Sequence, residues 1–191
     1  LIDDDRVCLT NVNRQIFATR KTVGQYKVDV AEERIKEINP NAVVHTYKTF
    51  YAPQAADQFD FTQYDYIVDA IDLVSCKLDL IQQARERRIP ILTALGTGNK
   101  LRPELLTITD IAKTSGCPLA RVMRKELRGR GIHHLKVAFS PEQPGQTQQL
   151  ETPPPGRRSV PASVSWVPPV AGLLMAGTVV QDLLNGGGLI P

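Results

Sequence analysis

The chain predicts an α/β fold: a Rossmann-like, doubly wound, mainly parallel sheet with an antiparallel C-terminal extension. Three observations point there. Strand-like and helical patterns alternate from the first residues to Leu95, the rhythm of a sheet joined by crossover helices. The run Tyr66-Ile67-Val68-Asp69-Ala70 is nearly all apolar, as a central parallel strand must be. Polar residues follow the strand patterns at Asp3 to Asp5, Asp69 to Asp72 and Gly96 to Asn99, and such sheets bind ligands beyond the carboxyl ends of their strands.

The elements follow in order. Leu1-Ile2 has the character of a strand end, and the first residue is not methionine. The first strand and helix of the fold, with any glycine-rich phosphate loop, are therefore expected upstream. After Val23-Gly24-Gln25, the positions Val28, Ala31, Ile35 and Ile38 fall on one helical face, with acids and lysine on the other. Asn39-Pro40 stops that helix. Val43 to Thr46 reads as a strand, and Pro53 to Phe59 as a short helix. Ser75 to Arg88 is the next helix, with Arg85, Arg87 and Arg88 at its end, where cations suit the helix dipole. Pro90 to Leu95 is a further strand. Leu105 to Thr109 and Leu135 to Phe139 read as two strands flanking a helix from Pro118 to Arg128, and both are expected to extend the sheet antiparallel. Residues 141–162 lack periodicity and are rich in Pro, Gln, Gly and Thr, which predicts a mobile loop. Pro168-Pro169 opens a helix that is apolar on almost every side as far as Leu184, hence buried in the core or at a subunit interface. Too few residues follow the loop to form a second domain, so residues 1–191 read as one.

Composition narrows the function classes. A charge of +3 neither requires nor excludes nucleic acid. The three cysteines, Cys8, Cys76 and Cys117, form no C-x-x-C pair, which argues against a zinc knuckle or a disulfide framework and favours the cytoplasm. No uninterrupted apolar run reaches membrane-spanning length.

Several residues are placed for chemistry. Asp3 follows a strand end, where an acid accepts hydrogen bonds from a ribose; three consecutive acids also suit a solvated turn or a cap. Arg14 and Lys27 are the cations nearest this wall and suit phosphate, though most such side chains are surface cations. Lys27 sits in a helix's first turn. Asp72 can hold Mg²⁺ against phosphate oxygens or cap the next helix, and Asp69 shares the ambiguity. The segment carrying Arg121, Arg124, Lys125, Arg128, Arg130 and Lys136 against Glu126 alone suits a phosphate backbone or a solvated helix face.

Taken together, Leu1-Ile-Asp-x-Asp-x-Val-x-x-Thr-Asn-x-Asn-Arg-Gln15, Val23-Gly-Gln-x-Lys27, Ile38-Asn-Pro40 and Val68-Asp-Ala-Ile-Asp72 resemble the ThiF/HesA/MoeB superfamily, adenylating enzymes similar to ubiquitin-activating enzyme. The resemblance implies that Asp3, and Asp5 beside it in the motif, belong to the ribose wall. It implies that Asn11, Arg14 and Gln15 hold the triphosphate, that Lys27 binds phosphate, and that Asp72 carries Mg²⁺ with ATP. Arg14, Lys27 and Asp72 would then be the catalytic groups. Thr107 to Leu119, Arg124 to Leu127 and Ser163 to Gly172 are similar to the tRNA threonylcarbamoyladenosine dehydratase branch. That branch implies ATP-dependent cyclisation of a tRNA nucleoside, with tRNA as partner and a homodimer as assembly. An adenylyltransferase for a ubiquitin-like sulfur carrier is the first alternative. A nucleotide- or partner-binding relative without catalysis is the second.

Overall fold

Ile67–Asp69 (β1), Ile91–Ala94 (β2), Thr107–Asp110 (β3) and Lys136–Phe139 (β4) form one sheet in the order β1-β2-β4-β3. The computed structural model describes residues 1–146, 148 and 161–186. The central part of the expected mobile loop, residues 147 and 149–160, lies outside them. β1 pairs parallel with β2, and β2 parallel with β4, placing Thr93 opposite both Asp69 and Val137. Only β3 is antiparallel, set against β4. This corrects the expectation that both late strands reverse. The helix Pro118–Gly129 (α3) carries the chain back to the amino edge of the sheet, so β4 enters in the same direction as β2.

The two sheet faces have different covers. Val74–Glu86 (α2) and α3 lie on one: Leu78, Ile81, Met123 and Leu127 pack with Val137 and Phe139. A second cluster joins Tyr51, Phe59 and Phe61 to Ile67, Leu80 and Ala84. On the opposite face, Val167–Leu184 (α4) sets Met175 against Leu92 and Ala138.

Three expectations change at the periphery. The pairing expected at Val43 to Thr46 is shifted: Leu1 donates to the His45 carbonyl (2.7 Å), Tyr47 N to Leu1 O (2.8 Å) and Asp3 N to Tyr47 O (3.2 Å), with one parallel bridge at Ile2 and Tyr47. Val43 is left exposed. The helix Lys27–Ile38 (α1) buries Val28 and Val30, with Val30 packed on Val7 and Ala18, while Ile38 is 71% exposed. Apolar spacing defined a face without supplying a partner for its last turn. Finally, α4 is long and apolar enough to cross a membrane by length and composition alone. It packs instead on the sheet through Val167, Ala171 and Met175, and its Asp182 meets Lys136 at 2.6 Å and Tyr66 at 2.7 Å. Leu173, Val180 and Leu184 remain exposed.

Candidate nucleotide site

The acidic wall is built by short-range bonds. The Asp3 carboxylate accepts from Asp5 N at 2.8 Å, turning the chain just past its pairing with Tyr47. Asp5 O accepts from Lys27 N at 3.0 Å, fixing the start of α1. Gly24, at φ +90°, makes the reversal that returns the chain to Val7, a left-handed conformation that glycine adopts without steric cost. Lys27 Nζ then lies 2.5 Å from Asp5 and 3.7 Å from Asp3. The expected ribose acid and phosphate lysine therefore meet, joined by Asp5. Carboxylate oxygens of Asp3, Asp4 and Asp5 come within 4.8 Å of one another, but exposed acids this close do not define a metal site.

Asn11, Arg14 and Gln15 share one turn. The Asn11 side chain is buried and accepts from Cys8 N at 3.0 Å, while its carbonyl accepts from the amides of Arg14 and Gln15. Arg14 Nη1 donates to Thr10 O at 2.7 Å, which leaves most of its planar donor fork unused. Gln15 Oε1 is buried and has no partner among the described residues. An orphaned acceptor of this kind suits a hydroxyl or amine donor, and both are present on a nucleoside.

Sequence reasoning missed the join between this turn and the sheet. Asn13 Nδ2 donates to Ser163 O at 2.9 Å. That segment is strapped to the carboxyl end of β2: Asn99 N donates to Ala162 O (2.8 Å), Ala162 N to Asn99 Oδ1 (2.7 Å), and Trp166 Nε1 to Leu101 O (2.8 Å). A Cβ on Gly98 would fall 2.8 Å from Pro161 Cβ. The legible signal was Gly96-Thr97-Gly98-Asn99. Its glycine and its left-handed asparagine (φ +57°) permit this close approach. At the other end of the expected loop, Glu142 accepts from the amides of Leu101 and Arg102 at 2.9 and 3.1 Å. Both described ends of the expected loop are thus tied to residues 99–102.

At the end of β1 the two acids separate in role. Asp69 is buried and bonds Lys77 Nζ at 2.9 Å, and its other oxygen accepts from Ile71 N at 2.9 Å. Burial holds the Lys77 ammonium below its usual range, and Asp69 opposes that shift. Asp72 is exposed, and its carboxylate has no bonded partner among the described residues. The residue at the cap position of α2 is Leu73, so Asp72 is not spent on capping. A free carboxylate at a strand's carboxyl end suits a hard cation. No hydrogen bond or ion pair among the described residues links Asp72 to Asp3, Arg14 or Lys27.

The basic segment divides. Arg121, Lys125 and Arg128 are exposed and have no acid partner among the described residues. Arg124 turns inward to the carbonyl and hydroxyl of Thr114, and Arg130 pairs with Glu126 at 3.1 Å. Lys136 lies on the opposite sheet face, paired with Asp182 on α4, because alternation along β4 sets it with Ala138 rather than Val137.

A mainly parallel sheet with a free acid at one strand end, a basic turn and an acid-lysine wall defines a nucleotide-binding α/β domain. The chain belongs to the ThiF family, whose model matches residues 1–186. It is 40% identical over 194 residues to tRNA threonylcarbamoyladenosine dehydratase of Bacillus subtilis (strain 168), covering 97% of this chain and 76% of that protein. The Escherichia coli (strain K12) protein of the same name is 43% identical over 128 residues, covering 67% of this chain and 48% of that protein. The structure of the E. coli enzyme, TcdA, in complex with ATP superposes with a TM-score of 0.84 at 32% identity, covering 97% of this chain and 75% of that one.

Proposed function

We propose that this chain forms an adenylating domain of an ATP-dependent dehydratase that cyclises threonylcarbamoyladenosine in tRNA. The observation that carries this reading is the 40% identity to a dehydratase of that name across 97% of the chain. The site's chemistry agrees with it. Asp3 and Gln15 offer acceptors to a nucleoside, Arg14 offers a donor fork to phosphate, and Lys27 adds a point charge.

The nucleoside's carboxylate attacks the α-phosphorus of ATP, and the bond to the pyrophosphate oxygen breaks. A nitrogen of the same substituent then attacks the activated acyl carbon. The ring closes, its proton is lost, and AMP departs with the carboxylate oxygen, so the nucleoside loses the elements of water. The protein's share is positioning and charge stabilisation, and no enzyme thiol is needed. Asp72 would hold Mg²⁺, which supplies countercharge to the phosphates. Arg121, Lys125 and Arg128 would meet the tRNA backbone. We place the enzyme in the cytoplasm, as a homodimer that covers the apolar outer face of α4.

Arg14→Ala in the full-length protein tests the assignment. AMP formation should fall by roughly 10²–10³-fold, as for loss of one charge-stabilising donor, and an unchanged rate would remove Arg14 from the mechanism. AMP formation that responds to a sulfur-carrier protein and not to tRNA would favour the carrier adenylyltransferase.

A further inference from the structure

We infer that the RNA contact surface continues beyond α3 onto the C-terminal end of α2, at the edge of the sheet opposite Asp72. The inference rests on the tRNA reading above and names a surface which that reading does not include. Residues 85–88 and 121–130 hold eight cations against two acids, a net +6 in a chain of net +3, so the remainder is net acidic. The fold brings both segments to one place. α2 and α3 lie side by side on the same sheet face, and Arg85 Nη1 donates to Gly131 O at 2.6 Å, joining their C-terminal ends.

Helix ends commonly attract cations, so the bland account is dipole capping. Capping uses only part of this charge. Arg85 and Arg130 do bond carbonyls at the helix ends. Arg87 is tied through one guanidinium nitrogen to Gln83, and its head lies 5.7 Å from the Phe61 ring. Arg88 is exposed and stands at φ +57°, and its side chain has no partner among the described residues. Arg121, Lys125 and Arg128, spaced i, i+4 and i+7, share one outer face of α3. They trace a line of about 10 Å at 1.5 Å per residue. That line runs from the carboxyl end of the sheet, where Asp72 lies, toward the amino edge, where Arg85 joins the end of α3 to the end of α2, the helix that closes on Arg87 and Arg88. A cationic track of this kind, whose one aromatic neighbour among the described residues is the buried Phe61 ring beneath Arg87, fits the phosphate backbone of a folded RNA. One nucleotide would occupy the site while the adjoining stem lies along the helices.

The test compares full-length wild type with two double variants. Arg87→Gln/Arg88→Asn neutralises the end of α2, and asparagine tolerates the left-handed backbone at that position. Lys125→Gln/Arg128→Gln neutralises the outer face of α3. Binding of tRNA carrying the modified nucleoside is measured across a salt series, beside the KM for ATP. We expect the first double variant to bind tRNA roughly fivefold to tenfold more weakly, with its salt slope reduced by about 1 for each cation withdrawn from a phosphate. The KM for ATP and kcat at saturating tRNA should not change. Unchanged tRNA affinity and slope in that variant, with weakening in the second, would overturn this inference and leave the tRNA reading intact. Absence of tRNA binding by wild type would overturn both.

Discussion

Lys77 Nζ and Asp69 Oδ2 stand 2.9 Å apart with side chains 1% and 0% exposed, an ion pair sealed between α2 and the end of β1. The other Asp69 oxygen holds the Ile71 amide, one residue before Asp72. The pair therefore fixes the turn that presents the free carboxylate. Lys77→Met leaves a buried carboxylate uncompensated and should cost about 3–5 kcal/mol in urea unfolding, as for other broken buried pairs. Removing both charges with Asp69→Asn/Lys77→Met should recover much of that loss. Equal losses in single and double variants would show that the lysine contributes by packing alone.

Asn99 does two things at once. Its backbone is left-handed, and its side-chain oxygen accepts from Ala162 N at 2.7 Å. Asn99→Gly keeps the backbone and loses the acceptor, so about 1 kcal/mol of stability should go. Asn99→Ala adds a conformational penalty of about 1–2 kcal/mol. Chemical denaturation should rank wild type above glycine and glycine above alanine. Alanine matching glycine would mean that the strap contributes only its hydrogen bond.

Asp182 supplies a pH signature. Burial tends to raise its pKa, but hydrogen bonds from Lys136 and Tyr66 prevail and hold it below the usual carboxylate range. A depressed folded pKa contributes stability that is complete above the unfolded value and disappears as pH falls through the folded one. The stability difference between wild type and Asp182→Asn should therefore be constant near neutrality and shrink below about pH 4, the ordinary carboxylate pKa. A difference that grew on acidification would contradict the pairing.

Asp72 is exposed and caps nothing, so Asp72→Asn should leave the unfolding midpoint within about 0.5 kcal/mol of wild type. AMP formation should nevertheless fall, with a higher Mg²⁺ requirement. A variant that lost stability in proportion to its activity would make Asp72 structural.

Much of this was legible in the chain, and the failures share a physical cause. The nearly all-apolar run through Ile67 is legible as a parallel strand, but its place is not: β1 lies at an edge of the described sheet rather than at its centre, and Val68 is 52% exposed on one face. The direction of β4 was not legible, since it depends on which edge α3 returns the chain to. Lys136 is near Arg128 in sequence, yet strand alternation turns it to the opposite face, where it meets Asp182. A lysine between apolar helix positions, as Lys77 is, reads as a surface residue until its buried partner Asp69 is seen beneath it. The wall of Asp3, Asp5 and Lys27 is legible through its motif, while the bond from Asn13 to Ser163 spans 150 positions and leaves a local mark only at Gly98-Asn99, where the Ser163 segment is seated.

The most direct measurement incubates the full-length protein with ATP and tRNA bearing threonylcarbamoyladenosine, then determines AMP released and the mass of the nucleoside recovered under mild conditions. The account predicts one AMP per nucleoside converted, with that nucleoside lighter by one water. AMP formed only when a ubiquitin-like carrier protein is supplied, with the nucleoside unchanged, would contradict it.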